Sequence, residues 1–239
     1  MTGAKILPID QANLRESAYR ALHEAFTRGE FAPGDVLSLR SLAEQLGTSM
    51  TPVREAVRRL VAEGALIDTR SRTLLVPPFD RQRMTDLKSA RLALEAIVLD
   101  QAMDRIGEAE IDALARILET PTEDEHSGPD LVQNYNFHFT LYRHSGSEVL
   151  LPMVEALWLQ HGAYLNLIIN HEAASEIAEH QFHYEIIDAL KSGDRDAAKA
   201  ALANDIERSF RVLLSGDHDA SPAAAETSAA ARRKESARK

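Results

Sequence analysis

Hydrophobic positions along the chain follow two rhythms, and the change between them divides it. Over residues 12–28, Leu14, Ala18, Ala21, Leu22, Ala25 and Phe26 recur three and four apart, which predicts a helix with one apolar face. Gly29 stops it, and residues 31–35 form a turn around Pro33-Gly34. Ser38 is placed to cap a short helix, 39–46, carrying Leu39, Leu42, Ala43 and Leu46, which Gly47 terminates. Thr48-Ser49-Met50 predict a tight turn. Ser49 or Thr51 then caps a third helix running to about Glu63, with Pro52 in its first turn, where a missing N–H costs nothing.

After Gly64 the rhythm changes. Residues 65–68 and 73–76 predict two short strands flanking Thr69-Arg70-Ser71-Arg72, a hairpin tip with two cations. Two short helices joined by a tight turn make a helix-turn-helix, and the basic hairpin completes a winged one. Pro77-Pro78 ends this first domain, residues 10–78. Residues 80–215 show only helical periodicity, predicting helices at 81–106, 108–119, 130–145, 148–170, 173–192 and 194–214. The fold class expected is mainly α: a winged helix-turn-helix with a small β-hairpin wing, followed by an all-α antiparallel helical bundle. The polar stretch 120–130 predicts a loop, and the Ala-, Ser- and charge-rich segment 217–239 predicts a disordered tail.

Composition sharpens this. Hydrophobic residues make up 44% and charged residues 27% of 239, enough for two packed domains. With no Cys there are no disulfides, thiolate zinc sites or cysteine nucleophiles. No apolar run reaches the roughly 18 residues that span a bilayer, and the first residues lack a signal-peptide pattern, so a cytoplasmic protein is expected. The net charge of −10 is unevenly spread. Residues 1–79 hold 10 basic and 9 acidic residues (+1), residues 80–216 hold 12 and 24 (−12), and residues 217–239 hold 5 and 4 (+1). The first domain is therefore free to approach phosphates.

Its cations are placed for that. Arg54, Arg58 and Arg59 lie within a turn and a half of the third helix, Ser49 and Thr51 at its start, Arg40 at the start of the second, and Arg70 and Arg72 on the wing. Arginine bonds guanine edges or phosphates, and Ser and Thr hydroxyls hold phosphate oxygens. The alternative is a solvated face in which these arginines pair with Glu44, Glu55 and Glu63. The stretch PGDVLSLRSLAEQLGTSMTPVREAVRRLVAEGALI, residues 33–67, resembles the DNA-binding head of the GntR family, matching its Pro-Gly turn, Leu-Ala, Leu-Gly, Thr-Pro-Val-Arg-Glu-Ala and Arg-Leu-x-x-x-Gly elements in order. The resemblance implies DNA contacts from Arg40, Ser49, Thr51 and Arg54, and from Arg70 and Arg72 on the wing. Two positions depart from the pattern: Met50 stands where the family usually has Arg, and Ser71 where the wing usually has Gly.

In the second domain, polar residues on apolar helix faces carry the chemistry. Asn134 and His138 are four apart beside Phe137 and Leu141; His183 shares a stripe with Ile186, Ile187 and Leu190; Asp205 lies near Leu202 and Ile206. Two imidazoles, a carboxylate and an amide oxygen can bind Zn, Ni or Mn with positions left open; alone, a His on an apolar helix face is more often a hydrogen-bonded core residue. Residues 80–214 resemble the FCD effector domain of FadR-type GntR regulators, through Arg91-Leu-Ala-Leu-Glu95, Asn134-x-x-Phe137-His138 and the segment His183 to Asp194. Many such domains hold a divalent metal through one Asp and three His. The resemblance puts Asn134 at the usual Asp, His138 and His183 at two His, and Asp205 at the third His. His180, His144 and His161 are further candidates. Arg91 would suit an organic acid's carboxylate, or equally an i,i+4 salt bridge to Glu95.

Together these features predict a metabolite-responsive transcriptional regulator, a repressor. Its partners would be a double-stranded DNA operator, a small-molecule carboxylate effector and a second copy in a homodimer, with no membrane. An alternative is a metal-dependent hydrolase or isomerase built on His138, His183 and Asp205. The chain has no HExxH motif, phosphate-cradling glycine loop or nucleophile elbow, so an enzyme is not expected.

Overall fold

A computed structural model describes residues 11–69, 73–120, 130–169 and 180–215. The head contains α1 (Gln11–Thr27), β1 (Val36–Leu37), α2 (Leu39–Gln45), α3 (Met50–Ala62), β2 (Ile67–Asp68) and β3 (Leu74–Leu75). The bundle contains α4 (Arg81–Met103), α5 (Glu108–Glu119), α6 (Leu131–Arg143), α7 (Leu150–Ile169), α8 (Gln181–Ser192) and α9 (Arg195–Ser215). The wing tip with Arg70, Ser71 and Arg72, the loop 121–129, residues 173–179 of the expected fifth bundle helix and the tail from 216 lie outside the described residues.

Local chemistry accounts for the helix ends. Ser38 Oγ accepts from Ser41 N at 3.1 Å, capping α2, and Gly47 takes φ +61° just beyond it, a conformation a side chain disfavours. Ser49 stands at the N-cap of α3, but its hydroxyl makes no cap hydrogen bond. Met50 belongs to the helix rather than to the expected turn. One strand escaped the sequence reading. Val36–Leu37 adds to the hairpin, giving an antiparallel sheet in the order β1-β3-β2, with Val36 and Ile67 both opposite Leu75. Two residues are too few for an alternation to show.

The head core is built from Leu22 and Phe26 of α1, Leu42 of α2, Val53 and Leu60 of α3, and Leu66, Leu74 and Val76 around the sheet. Leu14, expected on the inner face of α1, is exposed. In the bundle, α9 packs on α4, α7 and α8, and α4 packs on α6 and α7, around Met84, Leu99, Phe137, Leu159, Ile186, Leu202 and Phe210.

Head and bundle meet along α1 and α7. Asn166 Nδ2 donates to Gly29 O at 3.0 Å, Arg83 Nη2 to Gly64 O at 3.0 Å and to Gln160 Oε1 at 2.7 Å, and Tyr164 OH to Pro78 O at 3.3 Å. Gly162 allows the approach: a Cβ there would lie 2.7 Å from the carbonyl oxygen of Phe26. Alanine in mid-helix normally gains up to about 1 kcal/mol over glycine. Against an immovable backbone oxygen the clash should outweigh that gain, so Gly162→Ala is expected to lose about 1–2 kcal/mol net. Urea unfolding of the full chain measures this, and a stabilised variant would contradict the packing.

Candidate functional site

On the head, the exposed surface of α3 begins with Ser49, Met50, Thr51 and Arg54. Buried Val53, Ala56, Val57 and Leu60 anchor the opposite face, so these polar side chains are held outward on a rigid helix. The arginines divide in two. Arg40 pairs with Glu44 at 2.9 Å, Arg58 with Glu55 at 2.7 Å and Arg59 with Glu63 at 2.9 Å, as the solvated-face alternative expected. Arg59 also lies 3.5 Å over the Tyr19 ring, and Tyr19 donates to Glu63 at 2.9 Å, which ties α1 to α3. Arg54 is exposed and makes no ion pair among the described residues. Exposed pairs contribute little and are readily exchanged for a phosphate.

In the bundle a cavity of about 50 Å³ opens between α4, α6, α7, α8 and α9. Arg91, Asn134, Trp158, His161, His183 and Asp205 all line it, so three of the four proposed metal positions and Arg91 share one space. His138, beneath it, is fully buried. His138 Nε2 lies 3.1 Å from Asp205 Oδ2 and 3.2 Å from His183 Nε2, and His183 Nε2 lies 3.7 Å from Asp205 Oδ1. These three residues form a possible metal-binding cluster, with one ligand atom from each within 4.8 Å of the others. His180 faces the outer side of His183, Nδ1 to Nδ1 at 3.2 Å; His144 sits at the C-cap of α6, outside the cluster.

The hydrogen bonds decide what the cluster can do. Tyr142 OH donates to Glu95 Oε2 at 2.6 Å, so its oxygen is left to accept from His138 Nδ1 at 3.1 Å. That places the proton of neutral His138 on Nδ1 and its lone pair on Nε2, facing the Asp205 carboxylate. Burial lowers His183 to a pKa of about 3 against the pull of Asp205, so His183 is neutral. Asp205 is held well below the usual carboxylate range: burial opposes ionisation, but His183, His138 and Arg208 outweigh it, the last through a 3.0 Å ion pair. Two imidazole nitrogens and an anionic oxygen therefore converge, and a cation between them would satisfy all three. The residues fit a divalent metal.

Arg91 and Glu95 form a buried pair, with Nε to Oε1 at 2.6 Å and Nη2 to Oε2 at 3.3 Å. The guanidinium stacks 4.2 Å over Trp158 and reaches His161 Nδ1 at 3.0 Å. Sequence reasoning passed over Trp158, Tyr142 and Arg208, and ranked His161 low. Tyr142 stands one turn after His138 and Arg208 three residues after Asp205, a spacing that could have flagged both.

The FCD domain family matches residues 86–208, and the gntR family of bacterial regulatory proteins matches residues 14–75. The chain belongs to the GntR family. The FCD domain places it in the FadR-type branch, as the sequence resemblance implied. The HTH-type transcriptional regulator McbR of Escherichia coli (strain K12) is 30% identical over 190 residues, spanning 77% of this chain and 86% of McbR. The HTH-type transcriptional repressor GlaR of the same strain is 28% identical over 193 residues, 77% of this chain and 87% of GlaR. The solved structure of E. coli McbR/YncC superposes with a TM-score of 0.76 at 28% identity, covering 84% of this chain and 97% of that one. These relatives are transcriptional regulators rather than enzymes, and this GntR protein is a DNA-binding regulator with an FCD effector domain. No helix among the described residues is long and apolar enough to cross a membrane.

The cavity histidines carry a pH signature. Burial, then Arg91, holds His161 well below its ordinary pKa, and burial lowers His23 at the α1–α6 contact. Folded, His161 stays neutral and His23 takes up its proton less readily than in the unfolded chain; as pH falls below about 6.5 the unfolded chain therefore binds protons that the folded chain does not. Stability is lost downward through that window, by about 1.4 kcal/mol at pH 5.5 for His161. Urea midpoints of the metal-free protein at pH 7.5 and 5.5 test this. His161→Gln should reduce the difference by roughly that amount, and an unchanged difference would refute a neutral His161.

Proposed function

We propose that this GntR regulator is a homodimeric repressor whose affinity for a DNA operator is set by a small carboxylate bound in the FCD cavity beside a divalent metal. The observation that carries the coupling is the double duty of α7. One side of that helix lines the cavity with Trp158, His161, Leu165 and Ile168; the other supports the head through Gln160, Gly162, Tyr164 and Asn166. A ligand that favours one seating of α7 thereby favours one orientation of the head. In a dimer, orientation and spacing of two heads determine how well they meet two half-sites.

DNA contacts fall to Arg40, Ser49, Thr51 and Arg54, with Arg70 and Arg72 on the wing. Arg54 is the base or phosphate anchor, since no carboxylate among the described residues pairs with it. Met50, 48% exposed on the same surface, offers an apolar contact where the family usually offers a cation. His138, His183 and Asp205, with Asn134 beside them, would hold a divalent ion such as Zn, Ni or Mn. When bound, it would supply positive charge for an anionic effector.

Two experiments follow. On an operator selected from random duplexes, Arg54→Ala should weaken binding about tenfold or more while leaving the urea midpoint unchanged, because the side chain is exposed. Equal operator affinity would remove α3 as the reading helix. In calorimetric titration of the metal-free protein with Zn or Ni, Asp205→Ala should abolish binding. Tyr142→Phe, which removes the oxygen that orients His138, should weaken it roughly tenfold or more. Tight binding by Asp205→Ala would exclude this cluster as the metal site.

A further inference from the structure

Two residues of the cavity wall carry donors that have no hydrogen-bond partner among the described residues. The ring N–H of Trp158 and Nε2 of His161 are buried without a hydrogen-bond partner. Both residues line the cavity and are almost wholly buried, at 5% and 2% exposure. They are three apart on α7 and so lie on one side of the helix. The protonation of His161 is imposed: a guanidinium only donates, so Nδ1, 3.0 Å from Arg91 Nη1, accepts and Nε2 carries the hydrogen. The ring is neutral, held so by burial and by Arg91.

The charged groups around them are already engaged. Arg91 is spent on Glu95 and on His161; Asp205 is held by Arg208; Asp130 caps α6 by accepting from Gln133 N at 2.9 Å. What this wall lacks is an acceptor. Buried donors left unpaired are rare in folded proteins and mark a missing partner.

We propose that Trp158 Nε1–H and His161 Nε2–H are donors that recognise oxygen on the effector, and that the carboxylate of the proposed function is a short-chain one. This rests on the effector occupying the FCD cavity. Two neutral donors select an oxygen acceptor and reject an alkylammonium, which offers only further donors. The size of the space sets the length. About 50 Å³ accommodates roughly three to five water-sized centres, which suits an acid of two to four carbons.

Trp158 is the only tryptophan in the chain, so emission from the full-length protein reports this wall directly. Acetate, lactate and malonate, titrated into zinc-supplemented protein, should include at least one that changes Trp158 emission saturably. Propylamine should change nothing. By calorimetry, His161→Phe should weaken the best acid about tenfold or more. His161→Gln, whose amide can both accept from Arg91 and donate onward, should recover most of that affinity and guards against a folding defect in the Phe variant. Unchanged acid affinity in both His161→Phe and Trp158→Phe would overturn the donor pair while leaving a carboxylate effector in place. Saturable binding of propylamine at Trp158 would overturn selection for an acceptor. If no acid perturbs Trp158 and none gives binding heat, the carboxylate effector falls with it.

Discussion

Much of the cavity takes its orientation from one ion pair, Arg91 with Glu95, buried one turn apart on α4. A buried pair is costly to desolvate, and removing either partner would leave an uncompensated charge worth about 3–5 kcal/mol. Its value here lies in what each partner does with its remaining valence. Glu95 takes the Tyr142 proton, which turns Tyr142 into an acceptor and directs the His138 lone pair at Asp205. Arg91 donates to His161, which turns that ring's other nitrogen outward as a donor. One pair thus prepares two chemically opposite surfaces. On one side is a cluster of lone pairs suited to a cation; on the other are N–H groups suited to an anion's oxygen.

That opposition explains why the cavity can be small. A metal ion beside neutral donors presents positive character over a short distance, without a free guanidinium or ammonium that would need its own counter-ion when the ligand leaves. Arg91 stays neutralised by Glu95 in either state, and its face stays stacked on Trp158. On the proposed reading, ligand exchange changes the hydrogen bonding of Trp158 and His161 on α7 more than the charge of the core. Because α7 also supports the head through Asn166 and Gly162, the helix that lines the cavity is the one that seats the DNA-binding domain.

Local features were legible in the sequence, and features made by tertiary contact were not. The Ser38 cap, Pro52 in the first turn of α3 and the apolar stripe Val53-Ala56-Val57-Leu60 are all set by neighbours within four residues, and each appears where periodicity placed it. The grouping of His138, His183 and Asp205 was only weakly suggested by polar residues on apolar helix faces and was strengthened by the family resemblance, since three helices separated by up to 67 residues carry no local signal of contact. The roles of Tyr142 and His161 were hidden for a stricter reason. Each depends on a proton fixed by a residue on another helix, Glu95 for one and Arg91 for the other. The third strand was missed because two residues, Val36 and Leu37, gain their strand character only from pairing with Leu74 and Leu75.

The same separation of local from tertiary effects bears on the head's charge. Arg40, Arg58 and Arg59 each sit within one turn of a glutamate and are paired in the free protein. Exposed i,i+3 and i,i+4 pairs are worth only tenths of a kcal/mol, so a backbone phosphate, held in fixed position on the duplex, displaces the carboxylate at little cost. Between encounters the glutamates keep the domain near neutral, and the −12 of the remaining folded chain points any long-range repulsion at the bundle rather than at the head. Arg59 is the exception. It is clamped over Tyr19 and shared with Glu63, so it stiffens the α1–α3 contact and is poorly placed to leave for DNA. Among the described residues of the reading surface, Arg54 carries no such pair, and it lies at the exposed N-terminal end of the helix whose other face is the core of the domain.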